Sequence, residues 1–356
     1  MHLENTTVTM SSSSPIRYLV PEPPAFGEPV EVAPGVLWLR LPLPYALDHI
    51  NLYLFEEADG WTLFDTGIGD DVSKALWEEV LATRLGGRPI VRVVVSHYHP
   101  DHVGLAGWLH ERFGMPLHMA QAEYLFSKVQ QQPRDEASYA AYAAFYRQCG
   151  LSDEAVEQVL GRGLGYLSRI TGLPPAFERL MAGDTLRMGG RDWRVLTGGG
   201  HSPEQVMLYC ERDRLFLSAD QVLAHITPNV SVFTMQPNAD PLALFLRSLA
   251  ELRAEVDADV LVLPSHRLPF RGLHARVAQL EEHHAHRCDL ILEACAAEAQ
   301  SCKDLIPVLF HRALDPHQLS FAVGEALAHI NHLVAKGTLT PERGADGVLR
   351  YSGRQR

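Results

Sequence analysis

The chain has 356 residues, more than one hydrophobic core usually organises, so a large domain with a smaller companion is expected. Apolar residues make up 46% and charged residues 21%, which argues against wholesale disorder and against a membrane-embedded protein. With 31 Lys and Arg against 43 Asp and Glu the net charge is −12, a balance that repels phosphate backbones and disfavours a nucleic-acid substrate.

The first residues are polar and Ser-rich, without the basic start and apolar run of a secretory signal, and no stretch reaches the ~18 uncharged apolar residues that span a bilayer. A cytoplasmic protein with a disordered leader over 1–16 and no membrane contact is expected. Next, the apolar runs 36–41, 50–55 and 61–64, the last set off by Asp59 and Gly60, predict a β-meander closed by Asp65-Thr66-Gly67. The spacing over 72–84 predicts a helix stopped by Gly86 and Gly87, and Val-rich 90–95 predicts a buried strand ending just before His97. A helix over 105–113 and a short strand over 116–119 lead into an inserted helical segment, 121–180.

Strands resume at 193–196, 206–210, 215–217 and 260–263, with a helix over 241–254 before the last. Strands then helices, twice over, predict an α+β protein with two sheets between helical layers. The helical runs 274–300 and 316–336 and a hairpin over 337–351 predict a winged-helix-like module at 274–356, behind a catalytic domain at 17–273. Five cysteines form no C-x-x-C pair and are odd in number, so no disulfide framework is expected. Cys288, Cys295 and Cys302 recur every seven residues, which on a helix puts them on one side as small buried hydrophobes. His283, His284 and His286 lie in a charged run and read as a solvated face.

The chemistry is concentrated in Ser96-His97-Tyr98-His99-Pro100-Asp101-His102. Two imidazoles two positions apart leave an extended strand end on the same side, while Asp101 and His102 turn with the chain into the next helix. Histidine nitrogen and carboxylate oxygen are preferred by zinc and similar borderline metals. A lone histidine is usually a surface or hydrogen-bonded core residue; four ligand types directly after an apolar strand point to a metal.

With this loop the chain resembles the metallo-β-lactamase superfamily, over about residues 30–275, and the rest of that family's ordered pattern is present. Asp65 ends a strand before Gly67; His201 stands in Gly198-Gly199-Gly200-His201-Ser202-Pro203; Asp220 follows the strand 215–217; His266 ends Leu263-Pro264-Ser265-His266. The resemblance implies an αββα sandwich with two divalent metal ions, zinc by default, with iron and manganese suited to the same set. His97, His99 and His201 would hold one ion, Asp101, His102 and His266 the other, with Asp220 bridging and Asp65 supporting from behind. It further implies a metal-bridging hydroxide as nucleophile, oriented by Asp101, so Asp101 and Asp65 are the expected catalytic carboxylates.

Departures narrow the subgroup. Asp220 stands where the commonest zinc β-lactamases carry Cys, Gln221-Val222-Leu223 lacks the Tyr of acyl-homoserine lactonases, and His99 is retained where the di-iron redox branch has Glu. The chain is most similar to glyoxalase II-like hydrolases and, with its tail, to the β-lactamase-like protein 2 group. Against strict glyoxalase II identity, Ser265 stands where Gly commonly precedes the last His, and no Lys/Tyr set for glutathione is evident. A thioester or ester hydrolase acting on a small acyl substrate is expected, with a lactonase or a phosphodiesterase or nuclease as alternatives. The aromatic residues of the insertion, Tyr124, Phe126, Tyr139, Tyr142, Phe145 and Tyr146, either pack it onto the domain or line an acyl pocket. Tyr142, Tyr146 and His225 are the candidate substrate contacts, and a homodimer through the tail is expected.

Overall fold

The computed structural model describes residues 15–133, 135–161 and 165–353. The expected leader, 1–16, falls almost wholly outside them. Two seven-stranded sheets pack face to face. In the first, Val30–Ala33, Val36–Pro42, His49–Glu56, Trp61–Phe64, Ile90–Val94, Leu117–Met119 and Glu178–Arg179 lie side by side in chain order. In the second the order is Arg17–Tyr18, Phe270–Arg271, Leu261–Pro264, Leu215–Ala219, Gln205–Cys210, Arg191–Gly198, Thr185–Met188.

Alternation along the strands builds the layers. Trp38, Tyr53 and Phe55 point between the sheets, where they meet Trp193, Leu208 and Leu217 of the other. Their neighbours Leu39, Leu52 and Leu54 point outward and are covered by Trp77 and Leu109 of the helices Asp71–Thr83 and Ala106–Phe113. Because both faces of each central strand are buried, the strands read as continuous apolar runs, the signal that made them legible. On the far side Met207, Phe216 and Val262 pack under Phe245 and Leu249 of the helix Pro241–Glu255. The result is the expected αββα sandwich, an α+β metallo-β-lactamase-type architecture.

The short edge strands Val30–Ala33, Glu178–Arg179 and Thr185–Met188 were not foreseen, since polar pairs at a sheet rim carry no apolar pattern. Among the described residues of the insertion, helix is confined to Gln121–Gln130, Glu136–Gln148 and Asp153–Leu160, followed by one turn at Leu167–Arg169. Pro174 and Pro175 prevent helix beyond it, and the segment ends as a parallel edge strand beside Leu117–Met119.

At the C-terminus, helices Leu273–Ala297, Cys302–Leu309 and Pro316–Ala335 carry a small sheet in which Gln300–Ser301 and Leu339–Arg343 flank Leu349–Gly353. Ser301 caps the middle helix in a reciprocal pair with Asp304. This break explains why the three evenly spaced cysteines do not share one helix: Cys288 and Cys295 lie on the first, while Cys302 opens the next. All five cysteines are free. One apolar cluster runs from Phe216 and Phe245 through Leu280 and Ile291 to Ile330 and Tyr351, joining this region to the second sheet. No helix among the described residues is long and apolar enough to cross a membrane.

Of the three histidines read as a solvated face, His286 is exposed and His283 partly buried, but His284 is a correction. His284 is buried against Phe245, and its Nδ1 lies 3.1 Å from His329 Nε2. His329 Nδ1 donates to the Glu325 carbonyl at 2.8 Å, so its Nε2 must accept from His284 Nδ1–H, and both rings are neutral. Burial, reinforced by each other's proximity, lowers His284 to about 2; burial lowers His329 to about 4.

Candidate metal centre

The ligand-type residues sit at one rim of the sandwich, where strands from both sheets end. Asp65 follows the strand Trp61–Phe64 in a left-handed conformation, φ 59°, that Asp tolerates better than most residues. Ala219 adopts φ 46° immediately before Asp220, a turn that redirects the chain out of its strand. Both bends aim carboxylates at the loop after Ile90–Val94.

Asp65 is fully buried and organises that loop. Its Oδ1 accepts the Ser96 N–H at 2.7 Å, and its Oδ2 accepts the Ser96 hydroxyl at 2.9 Å and His102 Nδ1–H at 2.8 Å. The Ser96 hydroxyl in turn stands 2.9 Å from His97 Nδ1. Backbone carbonyls do the same for two more imidazoles: His201 Nδ1 donates to Asn229 O and His266 Nδ1 to His49 O, each at 2.8 Å. Because a carbonyl only accepts, these Nδ1 atoms carry a proton and the Nε2 atoms are left to face inward. Asn51 donates to the carbonyls of Pro264 and Arg267 at 2.9 and 2.7 Å, pinning the loop that presents His266.

The seven residues named from sequence converge in two groups, His97, His99, His201 and Asp220, and Asp101, His102 and His266, each with ligand atoms within 4.8 Å of one another. In the first, His97 Nε2 is 2.8 Å from His99 Nδ1 and 3.3 Å from His201 Nε2, which is 3.3 Å from Asp220 Oδ2. In the second, Asp101 Oδ2 is 3.6 Å from His102 Nε2 and 3.4 Å from His266 Nε2. Asp220 spans the two, with Oδ2 3.6 Å from His102 Nε2 and Oδ1 3.4 Å from His266 Nε2. His102 Nε2 and Asp220 Oδ1 are buried and have no hydrogen-bond partner. Orphaned lone pairs of imidazole and carboxylate facing one another fit a divalent cation.

The charges follow the grouping. Burial together with neighbouring imidazoles holds His97 well below its ordinary value and His99 at about 3. In the second group burial would lower His266, but Asp220 and Asp101 outweigh it and raise it to about 9; His102 is raised likewise. Asp101 is held at about 2, His102 and His266 overcoming its burial.

Glu123, near the start of the helix Gln121–Gln130, was missed from the sequence. Fully buried, it accepts the Tyr98 N–H at 3.0 Å, the Ser202 hydroxyl at 2.8 Å and the Glu204 N–H at 2.6 Å. One carboxylate thus ties the His97–His99 loop to the loop bearing His201. Burial pushes it up to about 7 against the pull of its three donors. Glu123→Ala is expected to lower turnover ~10–100-fold while the protein stays folded, because it leaves three donors unmatched and frees both loops. Unchanged kinetics alongside unchanged metal content would show that the tie is unimportant.

A cavity of about 290 Å³ opens onto His99 and His201 and is walled by Tyr98, Tyr142, Tyr146, Tyr166, Phe233 and Met235. Tyr142 and Tyr146 therefore line a cavity beside the cluster. Tyr124 and Phe145 instead pack inward, Tyr124 stacked on Phe177 at 4.1 Å. Tyr166 donates to Tyr98 O at 2.8 Å, fixing the wall. His225 is exposed and is not among the residues that wall this cavity, whereas Asn229 and Ser231 farther along the same loop are.

With the geometry in hand, comparison with known proteins is informative. A sequence profile described as Metallo-beta-lactamase superfamily matches residues 46–266, and one described as Metallo-beta-lactamase-like, C-terminal domain matches 288–354. A solved beta-lactamase domain protein from Burkholderia ambifaria is 43% identical, with 95% of this chain and 98% of that one covered and a TM-score of 0.89. The probable metallo-hydrolase YqjP of Bacillus subtilis is 24% identical over 314 residues, 86% of this chain and 94% of its own. A linear primary-alkylsulfatase of Pseudomonas sp. is 27% identical over 229 residues, 62% of this chain and 42% of its own.

Proposed function

From the premise that the chain belongs to the metallo-β-lactamase superfamily and is a metallo-hydrolase, we propose that it hydrolyses thioesters or esters of small acyl groups, in the manner of glyoxalase II-like enzymes. The observation that carries this reading is the tyrosine-walled cavity opening directly onto His99 and His201, an apolar slot beside the ligand cluster. His97, His99 and His201 with Asp220, and Asp101, His102 and His266 with the same Asp220, would hold divalent ions, with zinc the ion best matched to the donors. Bound there, such ions lower the pKa of water and polarise the scissile carbonyl.

The protein's own groups do the rest. Asp101, held ionised at about 2, accepts a hydrogen bond from the attacking water and orients it. Asp65 and the carbonyls of Asn229 and His49 fix the imidazoles, so no reorganisation is required during reaction. Tyr142 and Tyr146 seat the acyl chain and exclude bulk water. Tyr142→Ala or Tyr146→Ala is expected to raise KM about tenfold for bulky acyl substrates with little change for acetyl ones, in line with ~1–3 kcal/mol for a lost apolar contact. An equal effect across acyl sizes, seen in steady-state kinetics, would remove the pocket.

The direct test is thiol release from acyl-glutathione and acyl-CoA thioesters, comparing the metal-loaded protein with Asp101→Ala. Release by the wild type alone is expected; no release from any thioester would overturn the reading. Sulfate esters are the second reading, supported by the local similarity to the alkylsulfatase, and belong in the same panel.

A further inference from the structure

A larger cavity of about 880 Å³ adjoins the tyrosine-walled one and shares Arg169, Asn229 and Phe321 with it. It lies between the loop at Tyr45, the end of the insertion and the C-terminal helices, where Phe310, Leu314 and Phe321 supply apolar wall. Four charged residues line it, Arg169, Arg312, Asp315 and Glu325. The two carboxylates are already engaged: Glu325 pairs with Arg287, and Asp315 accepts the Gln318 N–H at 3.0 Å at the head of its helix. The two guanidinium groups have no acidic partner among the described residues. Arg169 is half-buried and lies over the Tyr45 ring, 4.9 Å from its centroid, which holds the cation in place without neutralising it.

We propose that this cavity is a subsite for an oxyanion (carboxylate, sulfate or phosphate) that the substrate carries away from its scissile bond, bound by Arg169 and Arg312. Against a net charge of −12, two guanidiniums in one cavity with no acidic partner among the described residues mark where an anion is admitted. Guanidinium forks bind such oxygens bidentately, and the neighbouring Phe and Leu side chains accommodate the apolar linker. The substrate class is thus an amphiphilic anion: scissile group at the ligand cluster, apolar middle, charged end at the arginines. This deepens the hydrolase reading above and rests on it.

The test uses three thioesters with the same scissile bond: hexanoyl-N-acetylcysteamine, neutral; adipoyl-N-acetylcysteamine, anionic on the acyl side; and hexanoyl-CoA, anionic on the leaving-group side. KM for one of the anionic pair is expected to be roughly tenfold or more below that of the neutral compound. Arg312→Gln, at a residue that does not line the tyrosine-walled cavity, should erase that difference and leave the neutral substrate unaffected; Arg169→Gln should erase it as well, with Arg169→Lys intermediate. Calorimetric titration of decyl sulfate against decanol, on wild type and both variants, gives a readout independent of turnover. Thioester turnover with selectivity unchanged in both variants would overturn the subsite while sparing the hydrolase reading. Arginine-dependent binding of decyl sulfate without thioester turnover would do the reverse.

Discussion

Asp220→Asn is expected to cut hydrolytic turnover by ~10³-fold, comparable with removal of a principal electrostatic group from a preorganised site. Asp220 is the residue common to both ligand groups, 3.3 Å from His201, 3.6 Å from His102 and 3.4 Å from His266. Asparagine matches its shape but removes the negative charge and turns one oxygen into an N–H donor facing imidazole lone pairs. Metal retained after dialysis, measured by elemental analysis, should fall together with kcat. Full activity and metal content in Asp220→Asn would remove Asp220 from the centre.

Acid should destabilise the fold through the histidines buried beneath the second sheet. His284 and His329 have folded values of about 2 and about 4, below the ordinary 6.5, so the unfolded chain binds more protons between those limits. Stability is therefore full above 6.5 and declines as pH falls below it. A histidine kept neutral down to pH 5 contributes about 2 kcal/mol to that decline. The geometry gives the reason: a proton on His329 Nε2 would meet His284 Nδ1–H, and a proton on His284 Nε2 would have no acceptor. The Arg287 guanidinium adds positive charge nearby. In His284→Leu the drop in Tm from pH 7.5 to 5 should be smaller than in wild type, with the metal-centre histidines common to both. An identical drop would show that this pair is not the acid-sensitive element.

The site was unusually legible. His97, His99, Asp101 and His102 lie within six consecutive positions because the end of a strand and the following turn can present several ligands at once. His201, Asp220 and His266 each follow an apolar strand, so their order along the chain reflects strand ends gathered at one rim of the sandwich. Tyr142 and Tyr146 could be shortlisted as insertion aromatics but not separated from Tyr124 and Phe145, which pack inward. His225 was chosen for its nearness to Asp220 in sequence, and five residues suffice for a chain to leave a site.

Glu123 and His284 show where sequence gave no purchase. Both lie in helical segments with charged neighbours, where a polar side chain reads as solvated. Glu123 is an anchor only because the fold brings Tyr98 and Ser202 to its two oxygens. His284 is buried only because the C-terminal helices close over Phe245. The sequence by itself determined the two sheets, the major helices and which ligand-type residues cluster, because strand alternation and donor chemistry are written in residues close together along the chain. The tertiary structure alone decided which polar groups are buried, what partners them and which side chains wall the cavities, because those properties depend on segments that meet only after folding.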